Sequence, residues 1–446
     1  METENTLLEK VNNWIRNSVM LKLATITFLV LLLLIPGSMI QSIIEEREVM
    51  NKETTTEVSS KWANSQVLTG PILTIPVVYQ FIKDDKVTET TRYWHVLPTD
   101  LQVKGSVFPQ KLKRGIYEVV VYKTSLSTQG AFVIDQQPDE AGLKEILWNQ
   151  AFLTIGVSDL RGIEDDVVVK WAGGDLKVEP GSKVDYLAYS GFTVNLPDLA
   201  ASKDKVLAFG FDLQLQGSQN LSFIPVGSNT NVDITSTWPS PSFNGNFIPD
   251  VREVSDKGFT AQWKILQLNR NFPQSWMGTA MENKLNESVF GVDLIMPVDD
   301  YQKSIRSSKY AIMTIVLTFL IFFLVEILNK RKIHPFQYTL VGLALSLFYI
   351  LLISVSEHLS FNEAYAISTS AVVGMISLYS MSVFKMPKLS MLLVATLIAI
   401  YGFLFVTLQL ADYALLMGSI GLTTILAATM YFTRNINWYK LNITND

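Results

Sequence analysis

Cysteine is absent from the 446 residues, which excludes disulfides, thiolate nucleophiles and Cys-ligated metals while saying nothing about compartment. Histidine is scarce, with only His95, His334 and His358, and there is no GxSxG, HExxH or glycine-rich phosphate loop. Metal-dependent and nucleophilic catalysis therefore lack their usual residues, and no cofactor or metal site is expected. An excess of positive charge is also missing. Lys and Arg number 36 against 41 Asp and Glu, a net charge of -5, so the basic face that nucleic-acid binding requires is not supplied.

What the chain does have is apolar residues, 48% of the total, with a mean hydropathy of +0.25. That composition points to a membrane protein. The apolar residues gather in two places, Leu23 to Ile44 and Ala311 to Phe432. About 20 apolar residues at 1.5 Å rise cover the hydrocarbon core. The first run therefore predicts one span, an uncleaved anchor whose helix continues into the polar EEREVMNKETTTEVSSKWAN. The second predicts five, at about Ala311 to Leu328, Tyr338 to Val355, Ala364 to Val383, Leu389 to Leu408 and Ala414 to Phe432.

Charge sets the orientation. Lys330, Arg331 and Lys332, then Lys385 and Lys388, then Arg434 and Lys440 fall on one side of the alternating spans, whereas the loops near Ser360 and Asp412 carry no Lys or Arg. The basic side belongs in the cytoplasm, which places both ends of the chain there. Lys303, Arg306 and Lys309 run against this bias, as the flank of a long translocated domain is free to do.

Between Gly70 and Pro297 the periodicity becomes that of strands. Runs such as ILTIPVVYQF, IYEVVVYKTSL and TNVDITSTW recur between turn residues. In FGFDLQLQG, Phe211, Leu213 and Leu215 alternate with Asp212, Gln214 and Gln216, the pattern of a strand with one wet face. Many short strands predict a sandwich-like all-β domain, either one large or two smaller, with one helix near Asp139 to Gln150. The expected organisation is a cytoplasmic amphipathic helix at 1–22, with Trp14 at headgroup depth, an anchor at 23–44, an extracytoplasmic β-rich domain at 45–309, a five-helix bundle at 310–433 and a cytoplasmic tail at 434–446.

The candidate residues follow from that topology. Glu357, His358, Glu363 and Asp412 all fall at the extracytoplasmic ends of spans, where they form a candidate functional cluster; ionisable groups held in lipid are costly and so are functional by default. None lies in the middle of a span, and ending a helix in water is the simpler role. Glu326 lies inside a span, about one turn from its basic end, and is expected either to snorkel toward Lys330 or to face a polar gap in the bundle, the first being the simpler. His95, in YWHVLP, reads as a sheet residue and His334 as the flank of a helix start. Small or polar residues, among them Gly342, Ser346, Gly374, Gly418 and Gly421, make stripes suited to close helix packing. The loop WPSPSFNGNFIPD, with Trp238, Phe243 and Phe247, is a candidate surface for binding glycan or lipid, or else closes the end of a sandwich.

Several pieces of the chain resemble the CreD family of bacterial inner-membrane proteins from nearly one end to the other. They are SVMLKLATITFLVLLLLIP, RGIYEVVVY, WPSPSFNGNFIPD, PVDDYQKSIRSSKYA, HPFQYTLVGLALSLFYILLISVSEHLSFNEAY, DYALLMGSIGL and TRNINWY. The resemblance implies a Gram-negative inner-membrane protein with a large periplasmic domain, linked to envelope stress and the response to β-lactams. It supplies no enzymatic activity, substrate or catalytic residue. The expected function is therefore that of a non-enzymatic envelope-integrity protein whose partners are the bilayer and a periplasmic protein or envelope component. The alternative is a lipid or small-molecule transporter, or a membrane-embedded enzyme using the outer acids.

Overall fold

The computed structural model describes residues 19–83, 86–135, 137–138, 141–202, 205–296, 300–328, 333–384, 386–410 and 413–434. The amphipathic helix expected near Trp14, the basic loop at Lys330 to Lys332, Asp412 and the tail from 435 lie outside these residues. The chain divides into two compact units, Asn51–Pro297 and the combination of Met1–Met50 with Val298–Asp446.

The first unit is built from two sheets, one of ten strands and one of eight among the described residues. Its longest strand, Gln66–Lys83, pairs in parallel with Asn220–Phe223 and antiparallel with Lys86–Val96 and Phe152–Val157. In the second sheet Asp100–Arg114 and Tyr117–Val133 form a long hairpin whose turn is Gly115-Ile116, with Gly115 at φ 62°. Glycine at the first central position of a two-residue turn suits the right-handed twist of the strands, so RGIY is a hairpin signal. Side chains from both sheets belong to one hydrophobic cluster, which makes this a single double-sheet unit rather than two sandwiches. The alternation read in FGFDLQLQG holds: Phe211, Leu213 and Leu215 are buried, while Asp212, Gln214 and Gln216 face outward in the strand Val206–Ser218.

The helix expected near Asp139 to Gln150 does not form. The described part of that segment holds a strand, Leu143–Ile146, and one 3-10 turn, Trp148–Gln150. Two local facts decide against a helix: Gly142 takes φ 78°, and its carbonyl accepts the Gln80 N–H at 2.8 Å. The segment is thereby laid along the free edge beside Val77 to Tyr79, where pairing satisfies backbone groups that a short isolated helix would leave to water.

The second unit is helical. Its elements are α1 (Val19–Trp62, with Asn51 onward assigned to the β unit), α2 (Asp300–Lys309), α3 (Ala311–Leu328), α4 (Pro335–Ser356), α5 (Phe361–Phe384), α6 (Pro387–Gln409) and α7 (Ala414–Thr433). Four described helices are long and apolar enough to cross a membrane: α1, α4, α5 and α6; α3 and α7 carry shorter apolar stretches, Ala311–Ile327 and Leu416–Tyr431. Pro36 lies within α1 without ending it. Leu29, Leu33, Ile40 and Ile44 bury one stripe of that helix, whereas Phe28, Leu31, Ile35 and Met39 are exposed. A helix that is apolar all round, with one stripe covered by protein, is what a lipid solvent requires.

The small-residue stripes are only partly contact faces. A Cβ on Gly342 would overlap Leu33 Cδ1 and stand 2.9 Å from Phe319 Cζ, and one on Gly421 would overlap the Phe403 ring. Gly374 and Gly418 meet nothing within 4 Å. Gly342→Ala should therefore destabilise the helical unit by about 1–3 kcal/mol through overpacking. Thermal unfolding in detergent measures this, and adding Leu33→Ala should return part of the loss. Gly374→Ala should be near neutral, and equal effects at the two glycines would remove close approach as the cause.

Candidate functional site

The ionisable groups of the helical unit are gathered at its two ends. At one end Glu326 of α3 is only 1% exposed and forms an ion pair with Lys22 of α1. Its carboxylate also accepts the Tyr338 hydroxyl of α4 at 2.9 Å and the Ile333 N–H at 3.1 Å. Each oxygen is thus satisfied, as a carboxylate buried in an apolar bundle must be. Of the two expected routes Glu326 takes the second, into a polar site of the bundle, where three donors meet it; Lys330 lies outside the described residues. His334 begins α4 as its N-cap, with Nδ1 accepting the Phe336 N–H at 3.2 Å and Gln337 Oε1 accepting the His334 N–H at 2.9 Å. Pro335 follows at the first helical position, where its missing N–H costs nothing.

At the other end Arg47 of α1 lies 3.3 Å from Glu357, the C-cap of α4. About 38 Å of helix separates Lys22 from Arg47 at 1.5 Å per residue, close to the ~40–45 Å of a bilayer with its headgroups. The two ion pairs therefore tie α1 to α3 at one end and to α4 at the other, at a spacing that matches a membrane. Sequence reasoning missed both partners. The signal was available, since Lys22 and Arg47 are charges bracketing one apolar run, but which acids they meet depends on chain folding.

The described members of the predicted outer cluster each have partners of their own. Glu357 is committed to Arg47. Glu363 accepts the Ser360 N–H at 3.1 Å and its hydroxyl at 2.9 Å, reaching back to close the start of α5 as a capping box does. His358 is exposed, and its backbone N–H bonds Val355. Asp412 lies outside the described residues. Near the same end Gln409 donates to Asn362 at 2.6 Å, joining α6 to α5. Among the described residues no group of three or more His, Asp or Glu could hold a metal.

In the β unit the segment expected to be a loop contains an edge strand, Pro241–Gly245, paired with Phe290–Leu294, an edge position that tolerates proline. Trp238 is buried and donates its Nε1–H to the Ile295 carbonyl at 2.8 Å. Phe243 stands edge-on to Phe259 and Trp263, with centroids 5.7 and 5.8 Å away, and Phe247 edge-on to Phe290 at 6.0 Å. Trp238 is buried and Phe243 and Phe247 are half-buried against the hydrophobic cluster, so of the two roles the sequence offers these rings, closing the sandwich is the one their contacts fit. His95 is a sheet residue. Its Nδ1 lies 3.0 Å from Thr74 Oγ1 and its Nε2 2.9 Å from the Tyr186 hydroxyl, and burial lowers its pKa to about 3. Asp159 is held down at about 2, chiefly by hydrogen bonds from Arg161, and it also accepts the Asn64 N–H at 3.0 Å. Arg270 is buried beside Phe272, 4.4 Å from the ring centroid, and burial lowers it to about 10.

A set of apolar helices fixed by charged pairs at bilayer spacing, joined in one chain to a large double-sheet unit, defines a multi-pass membrane protein with a β-rich domain. The family described as Inner membrane protein CreD matches residues 18–439. A relative from Escherichia coli (strain K12), named Inner membrane protein CreD, is 35% identical over 428 residues, covering 95% of this chain and 94% of its own. The chain belongs to the CreD family of inner membrane proteins.

Proposed function

We propose that this protein supports cell-envelope integrity, and the response to envelope and β-lactam stress, as a non-enzymatic binding and anchoring protein. The β unit stands in the periplasm and engages a protein or envelope component. The helical unit crosses the membrane six times, with α3 and α7 among the spans and the basic loops in the cytoplasm. The observation that carries this proposal is the commitment of the outer acids to structure, Glu357 to Arg47 and Glu363 to Ser360. Acids spent as ion-pair and capping partners are poorly suited to bind a transported solute or move protons.

The test sets this against transport or membrane-embedded catalysis through Glu357, His358, Glu363 and Asp412. Glu357→Gln, Glu363→Gln and Asp412→Asn should each leave resistance to detergent and β-lactam unchanged at equal protein level. Lost resistance with normal abundance would count for the transporter or enzyme. Orientation is tested separately: with no native cysteine, Ser360→Cys should react with an impermeant maleimide from the periplasmic side, and reaction only after the membrane is opened would reverse the topology.

A further inference from the structure

A cavity of about 370 Å³ lies between α3, α6 and α7, walled by Leu317, Ile321, Val325, Leu392, Ile400 and Ile425. The two hydroxyls in its wall are already used: Thr396 donates to the Leu392 carbonyl and Thr429 to the Ile425 carbonyl, each at 2.8 Å. Such a cavity gives water too few hydrogen-bonding partners and stays dry, so its natural occupant is apolar. Along α6 the wall runs from Leu392 to Ile400, roughly 12 Å at 1.5 Å per residue, which is most of the ~15 Å hydrocarbon depth of one leaflet.

Charge at one end of the cavity says which lipid. Lys388 is exposed at the start of α6, about 6 Å of helix before Leu392. Arg434 is exposed at the end of α7, just beyond Thr429, with its guanidinium 4.3 Å from the Tyr431 ring centroid. The helices run antiparallel through the Phe403–Gly421 contact, so both cations stand at the same end of the cavity. Neither has an acidic partner among the described residues. Basic groups at this depth attract anionic headgroups.

We propose that this is a binding site for an anionic phospholipid, with one acyl chain in the cavity and the phosphate beside Lys388 and Arg434. The site rests on the proposal that α3 and α7 lie within the bilayer, with their basic ends in the cytoplasmic leaflet. Two features fit this occupant together: an apolar slot one leaflet deep, and two cations at its mouth.

The experiment is native mass spectrometry of the full-length protein from nanodiscs of equal phosphatidylglycerol and phosphatidylcholine. The wild type should retain phosphatidylglycerol about fivefold or more over phosphatidylcholine, the preference that one basic group near the surface provides. Ala428→Phe, which fills the wall, should abolish retention of both lipids. Lys388→Gln with Arg434→Gln, at exposed positions that should not disturb folding, should equalise the two lipids while a bound chain persists. Equal retention by the wild type, or unchanged preference in the double variant, would overturn the site. The Ser360→Cys variant separates the two proposals. If the wild type shows no preference while that variant labels from the periplasm, only the lipid site fails; if it labels from the cytoplasm, the topology beneath the site fails.

Discussion

Lys22→Met should destabilise the helical unit by about 3–5 kcal/mol, the cost of leaving a buried charge without its partner. The carboxylate that remains, Glu326, is 1% exposed and would keep only the Tyr338 hydroxyl and the Ile333 N–H. Glu326→Gln should cost less. It leaves the charge on Lys22, which is 19% exposed and sits on a flexible stem able to carry its ammonium toward the headgroups. Replacing both, as Lys22→Met with Glu326→Leu, should recover most of the loss, because well-packed apolar residues often substitute for a buried pair at little cost. Unfolding of the three variants in detergent provides the comparison. Equal effects from the two single variants would mean that Lys22 is as trapped as Glu326, and an additive double variant would mean that the two residues do not interact.

The second large effect is acid lability of the β unit. With His95 held at about 3 in the folded state against about 6.5 in an unfolded chain, the unfolded state binds a proton that the folded state refuses. Stability is therefore fully present above pH 6.5 and declines as pH falls toward 3, by up to about 1.4 kcal/mol per pH unit. Glu118 and Glu164, held below the ordinary carboxylate value by Lys111 and Lys123, and Asp159, held at about 2, lose their contributions only as pH falls through that ordinary value, so the interval from 6.5 to about 5.5 isolates His95. His95→Gln keeps polar atoms facing Thr74 and Tyr186 and should flatten the pH dependence in that interval. Trp276, with its ring centroid 5.3 Å from that of His95, is a fluorescence reporter for denaturant unfolding at pH 7 and about pH 5.5. A variant whose stability falls with acid as steeply as the wild type would assign the effect to another group.

How far the site was legible depended on whether the deciding partner lay nearby in sequence. His334 as a helix start could be read because its cap partners, Phe336 and Gln337, are within three residues. Lys22 and Glu326 could not be paired in advance, since 304 positions separate them and any of several cations could have reached that acid. Trp238, Phe243 and Phe247 show the same limit. An aromatic, proline-rich segment can face outward or inward, and only the position of Phe259 and Trp263 in the opposite sheet and Phe290 on the paired strand gave its rings contacts with the core. The lost helix near Asp139 to Gln150 was decided by an open strand edge at Val77 to Tyr79, which local propensity does not record.

The sequence by itself determined that this chain lives in a membrane, that its apolar runs become helices and that its middle becomes strands. Those outcomes follow from solvent and period: lipid demands long apolar helices, and alternation demands a sheet with one wet face. The tertiary structure decided what the charges do, which glycines are contact points and which aromatic faces are covered. Pairings between distant residues carry little local signal, because a side chain's partner is set by the path of the chain rather than by its neighbours. Lys22 beneath Glu326, Arg47 beside Glu357 and the slot between α3, α6 and α7 came into being only when the helices met.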